Sequence, residues 1–210
     1  MNPLSLIVVP YNRVGHLLSE STRIKELESA ITTVREQHKK TTEYGMEHYT
    51  RIYNVGLYLL LFEYDIAILK NDALFSIRKW KKKFVARQMA IQLYEASHDI
   101  PNLLGKEFRN SLSKIQLSDS ELIEFNSITK EFNNFKNSHR EILNKLRNHV
   151  GAHRSKDAAK QLDIIDEVSL IQLMEYTGEF YEPLGELISF MTKMFLKMAD
   201  WRNLAHHYKK

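Results

Sequence analysis

Residues 118–153 read SDSELIEFNSITKEFNNFKNSHREILNKLRNHVGAH. Ser118 and Glu121 stand at capping-box spacing: the serine oxygen accepts a first-turn amide and the glutamate reaches back to the serine N–H. Phe125, Ile128, Phe132, Phe135, His139, Ile142 and Leu146 then recur at steps of three and four, the repeat of one helix face. The rhythm runs on to His149 and His153, which aims both imidazoles at the core or at a partner. His139, alone among apolar neighbours, reads as structural. Gly151 is where such a helix is expected to end or loosen.

Outward from this helix, nearly every segment repeats with helical period and almost none alternates like a strand. Ile24, Leu27, Ile31 and Val34 place a first helix from Ser19 to about Lys40. A second is expected from about Glu43 to Lys70, with Leu57-Tyr58-Leu59-Leu60-Leu61-Phe62 apolar enough for a central core element. Asn71-Asp72 supplies a turn and an N-cap for a third, running to about Ser97. Asp99-Ile100-Pro101 should break it, with Pro101 opening a short fourth helix that ends near Ile115. Pro183, after Gly178, should kink or divide a last helical stretch from about Ser169 to Ala199. The expected fold class is all-α, an up-and-down helical bundle, as a single domain over 1–210. Leu4 to Val9, between two prolines, reads either as a strand or extended arm within 1–15 or as a segment without order.

Composition narrows the function classes. The 210 residues are 43% hydrophobic, enough to bury one core, and contain no cysteine. Disulfides, thiolate zinc sites and cysteine nucleophiles are thereby excluded. The first ten residues lack the charged leader and long apolar run of a secretion signal. Leu57 to Leu69, interrupted by Glu63 and Asp65, reads as too short to cross a bilayer. The expectation is a cytoplasmic protein with no membrane partner.

The formal charge of +4 is unevenly spread. Arg78, Lys79, Lys81, Lys82, Lys83 and Arg87 carry +6 with no acid between Ala73 and Tyr94, so the rest of the chain sums to −2. On a helical wheel Lys79, Lys82, Lys83 and Arg87 share one arc, while Ile77, Trp80, Phe84 and Ile91 share another about 100° round. The reading is an amphipathic helix with a cationic outer face, suited either to a nucleic-acid backbone or simply to water.

Arg147, Asn148 and His153 set a permanent cation, an amide and a titratable imidazole within a few residues. A guanidinium forks onto phosphate oxygens, and an imidazole trades a proton near neutrality. Together they suit phosphodiester cleavage without a metal. In an unbroken helix Arg147 and His153 lie roughly 120° apart, so convergence needs distortion at Gly151 or a second copy of the motif. The plainer alternative is an Arg-Asn pair bonding loose helix-end carbonyls and an imidazole completing the core. His149 and His153, four apart, could chelate a metal, but no carboxylate shares their register, and no metal site is expected.

An amphipathic helix running into Arg147-Asn148, then His153 and Arg154-Ser155-Lys156-Asp157, resembles the HEPN superfamily, whose mark is an arginine, a polar residue and a histidine after a short gap. The phrase from Arg87-Gln88-Met89-Ala90 to His98-Asp99-Ile100-Pro101-Asn102-Leu103-Leu104-Gly105 is similar to the same region of its bacterial abortive-infection members. The resemblance covers about residues 80–200, leaving additional N-terminal helices outside it.

The resemblance implies a bundle of HEPN type, dimerisation that joins two motifs in one cleft, and metal-independent endoribonuclease activity as a toxin or antiphage effector. By position, Arg147 would stabilise charge on the transition state, Asn148 would orient groups, and His153 would handle the proton. Lys79, Lys82, Lys83, Arg87 and Arg154 would hold RNA. No cofactor is implied, and the partners would be RNA, a second copy, and an antitoxin or nucleotidyltransferase. The family also includes noncatalytic modules that bind nucleotide, RNA or protein. A second grouping, Arg202, His206 and His207, meets the pattern loosely at a chain end, where cations also favour a helix dipole.

Overall fold

The computed structural model describes residues 3–147, 162–163, 166 and 169–199, and every described element is helical. In chain order they are α1 (Pro3–Glu43), α2 (Glu47–Phe75), α3 (Lys79–Leu103), α4 (Lys106–Ser113), α5 (Asp119–Leu146) and α6 (Leu170–Ala199). The all-α expectation holds, with no strand among the described residues. The segment expected to be an extended arm or strand is instead helical backbone, because α1 begins at Pro3. Proline costs little in a first turn, where its missing N–H has no helical acceptor.

α1 turns into α2 through Tyr44-Gly45-Met46. Gly45 sits at φ +65°, the left-handed region that a Cβ disfavours, while the Met46 N–H closes the end of α1 on the Thr41 carbonyl at 2.8 Å. α2 packs against α1, α3, α4 and α6. Ile52, Val55, Leu59, Phe62 and Ile66 are its buried stripe. The whole of α2, longer than the stretch from Leu57 to Leu69, is long and apolar enough to cross a membrane by length and composition alone; here more than half of its most apolar window is buried by its neighbours. Gly56 faces α6 so closely that a Cβ there would overlap the tip of the Phe195 ring, and Phe195 stacks on Tyr53 at 5.0 Å between centroids.

Two expected breaks fall elsewhere, and a third does not divide its helix. Asn71-Asp72 lies inside α2, which runs on to Phe75 because Ala73 still packs against Val85 and Met89. The turn comes at Ser76-Ile77-Arg78 instead. Pro101 does not break α3, which continues to Leu103. A proline this near a helix end forfeits one backbone bond, and buried Ile100 and Leu104 hold the last turn in place. The break follows at Gly105, where a Cβ would stand 2.8 Å from the Asn102 carbonyl oxygen. Pro183 is buried inside α6 and does not divide it. Leu184, Leu187, Phe190, Met191 and Met194 bury the following turns, and packing on that scale outweighs one lost bond.

α5 follows its sequence closely. Ser118 Oγ accepts the Glu121 N–H at 3.3 Å, and Glu121 Oε2 accepts the Ser118 N–H at 2.8 Å. Phe125, Ile128, Phe132, Phe135 and Leu143 are buried. Phe132 and Phe135 meet Phe180 of α6 edge to face, and Phe125 packs between Phe108 and Phe190. Each such phenylalanine contributes on the order of 1.5–3 kcal/mol by leaving water. His139 sits between Phe135 and Tyr176 with its Nε2 2.7 Å from Glu179 Oε2, a cross-tie between α5 and α6.

α1 is latched to the bundle by charge. The Arg23 guanidinium pairs with Glu63 of α2 and with Glu20 one turn away, and it lies over the Tyr181 ring of α6. Both glutamates are buried. Burial, with Glu63 reinforcing it and Arg23 opposing it, pushes the Tyr181 phenol well above its ordinary range.

Candidate functional site

Arg147 is delivered by the end of α5, where its backbone is still helical (φ −61°, ψ −48°). A cation here complements the negative end of the helix dipole. Its guanidinium lies 5.3 Å over the Tyr94 ring of α3, and its Nε donates to Glu95 Oε1 at 3.4 Å. Both partners of that ion pair are half-exposed. Such a pair is worth at most about 1 kcal/mol, so an entering anion can displace it.

One turn further along α3, the His98 ring packs tilted against the same tyrosine with ring centroids 4.4 Å apart. Its Nδ1 lies 3.0 Å from the Tyr94 carbonyl, which has only lone pairs to offer, so this nitrogen carries the proton in the neutral ring. Nε2 is then the acceptor nitrogen. Asp99 follows, and its Oδ2 accepts the Tyr58 hydroxyl of α2 at 3.2 Å. Burial first, then Asp99 and Glu95, push the Tyr58 phenol far above its ordinary range and keep it a neutral donor.

Pairwise contacts thus tie Arg147 to Tyr94 and Glu95, Tyr94 to His98, and Asp99 to Tyr58, across α2, α3 and the end of α5. Only Arg147 of this group was a candidate from sequence. Asn148, His153 and Arg154 lie outside the described residues, as do Gly151, Arg202, His206 and His207. Tyr94, Glu95, His98, Asp99 and Tyr58 were missed as site residues. The available clue was the spacing of Tyr94, Glu95, His98 and Asp99, which at steps of one, three and four form one patch on a helix.

The cationic arc of α3 divides. Lys79 and Lys82 are exposed but leave the helix roughly 140–160° round from Glu95, so they do not share its side. Lys83 is mostly covered and paired with Asp166, and it lies 5.1 Å over Trp80. Arg87 is half-buried 5.9 Å over Phe84. The amphipathic reading of this segment is also corrected. Ile77, Trp80 and Phe84, expected as the apolar side of an amphipathic helix, stand in solvent; Val85, Ala86, Met89, Ala90 and Leu93 are the buried face. The start of α3 projects Trp80 and Phe84 away from the core that Val85 and Ala86 enter.

The largely apolar cavity of about 540 Å³ between α1, α2 and α6, lined by Val34, Tyr49, Tyr53 and Phe195, includes none of the residues around Arg147. Comparison with protein-family models, with curated proteins and with solved structures gives no match for this chain.

Proposed function

We propose that the chain is a metal-independent endoribonuclease of HEPN type, with its site at the junction of α5 and α3. The observation that supports this reading is that Arg147 and His98 both contact the Tyr94 ring, which puts a guanidinium able to pair with phosphate and an imidazole on one side chain.

RNA supplies its own nucleophile in the 2′-hydroxyl. In the proposed reaction that oxygen attacks the adjacent phosphorus and the P–O5′ bond breaks, leaving a 2′,3′-cyclic phosphate and a 5′-hydroxyl. A base takes the 2′ proton and an acid returns one to the 5′ oxygen. Arg147 neutralises charge on the non-bridging oxygens. His153 is assigned one proton transfer, as the family resemblance implies, and His98 is the candidate for the other. Glu95 leaves Arg147 as the phosphate enters. A cleft shared by two copies, an antitoxin or nucleotidyltransferase partner, and a toxin or defence role in the cytoplasm belong to the same proposal.

A noncatalytic module that binds nucleotide, RNA or protein is the second reading, favoured by the hold of Glu95 on Arg147 within the bundle. Labelled single-stranded RNA incubated with the protein in EDTA separates the two. The nuclease reading expects cyclic-phosphate ends that disappear in Arg147→Ala and His153→Ala. Binding without cleavage selects the second reading, and cleavage unchanged in both variants removes the site assignment.

A further inference from the structure

The corner between α2 and α3 exposes apolar side chains that the core does not use. Ile77 is 95% exposed, Trp80 63% and Phe84 52%, and Leu74 stands out on the α2 side of the same corner. Rotating α3 cannot bury them, because Val85, Met89 and Leu93 already occupy the face that meets the bundle. Arg78 and Lys79, next in sequence to Ile77 and Trp80, are exposed, and Lys82 is exposed on the other side of the same first turn. The neighbouring cations are answered locally, Lys81 by Asp72 at 2.5 Å and Lys83 by Asp166. What faces outward is an apolar tip with the exposed cations Arg78 and Lys79 beside it.

We infer that this corner docks on the surface of an anionic phospholipid membrane, with Ile77 and Trp80 entering the interface and Arg78, Lys79 and Lys82 resting on headgroup phosphates. Charge complementarity carries the choice of occupant. Lysine and arginine beside tryptophan, phenylalanine and leucine is the composition of helices that lie in a bilayer interface, and tryptophan settles at headgroup level. A nucleic-acid strand is the poorer fit. Bases gain from aromatic faces, whereas Leu74 and Ile77 have no π system to stack on. The backbone beneath the tip is anchored by buried Ala73, Val85 and Met89, so docking needs no unfolding. α2 remains in the core, and the contact is peripheral, reversible and weakened by salt. It departs from the expectation of a chain without a membrane partner.

The test is flotation of the full chain with vesicles of phosphatidylcholine alone and with about one-third phosphatidylserine, at about 0.1 M salt. Trp80 emission is followed in a Trp201→Phe background, since the chain has two tryptophans. The expected result is binding at least about tenfold tighter to the anionic vesicles, with a blue shift of Trp80. Ile77→Ser with Trp80→Ser, and separately Arg78→Glu with Lys79→Glu and Lys82→Glu, should each lose at least about tenfold while melting like the parent. No binding to anionic vesicles overturns the proposal, as does binding that survives both variants. It is also overturned if the variants abolish binding of an unstructured RNA, or split a dimer, while vesicles are never bound.

Discussion

Arg147 at the end of α5 and Glu95 of α3 meet at 3.4 Å while the Arg147 guanidinium lies over the Tyr94 ring, joining the end of one helix to the middle of another. Whatever anion the site accepts must compete with that carboxylate. Glu95→Gln is expected to tighten single-stranded RNA binding at low salt by about three- to tenfold, while changing folding stability by less than about 1 kcal/mol. Fluorescence anisotropy across a salt series measures the first and urea denaturation the second. Tighter binding that does not depend on Arg147, tested in the double variant with Arg147→Ala, would show that the pair is not the binding site.

The junction of α5 with α6 should be acid-sensitive. Burial alone would raise the Glu121 carboxyl, but the Lys197 ammonium at 2.5 Å and the Ser118 N–H and hydroxyl outweigh it and hold the group at about 2. A carboxyl lowered on folding contributes stability that is complete above its unfolded value and is lost as pH falls toward the folded one. Glu121→Gln is therefore expected to destabilise the protein near neutrality and to narrow its gap from the parent between about pH 4.5 and 2. A gap independent of pH in thermal melts would contradict the assignment.

The latch on α1 gives a third expectation. Arg23→Ala leaves Glu63 buried without its cation, and since Arg23 is itself partly exposed the cost should be about 1–3 kcal/mol. Glu63→Gln together with Arg23→Met should recover part of the loss, because an uncharged pair has less to desolvate. Equal destabilisation in the single and double variants, measured by denaturant unfolding, would refute the latch.

Gly56 is expected to reject a methyl group. Gly56→Ala must push the Phe195 ring off Tyr53, at about 1–3 kcal/mol. With Phe195→Ala already in place the same substitution should cost much less. Additive costs in the double-mutant cycle would mean that the two residues do not meet.

Much of the helical order was legible because its signals are local. Ser118 and Glu121 cap α5 as read, and the stripe from Phe125 to Phe135 is buried as read. The misplaced breaks share one cause. Asn71-Asp72 and Pro101 are genuine local breakers, overruled by Ala73 packing against Val85 and by Ile100 and Leu104, contacts that no window of neighbouring residues reveals. The same limit applied to α3, whose basic run and aromatic spacing were visible but whose buried side depends on where α6 and α5 lie. At the site Arg147 stood out by type, whereas Tyr94, Glu95 and His98 became meaningful only once α5 ended beside them.

The many-sided packing of α2 has a practical corollary for anyone dividing the gene. A product that stops before residue 170 would lack Phe180, Leu184 and Leu187, which belong to the same core as α2, and would bare one flank of a long apolar helix. A bared face of that kind is an aggregation liability, so point substitutions dissect this chain more cleanly than shortened versions of it.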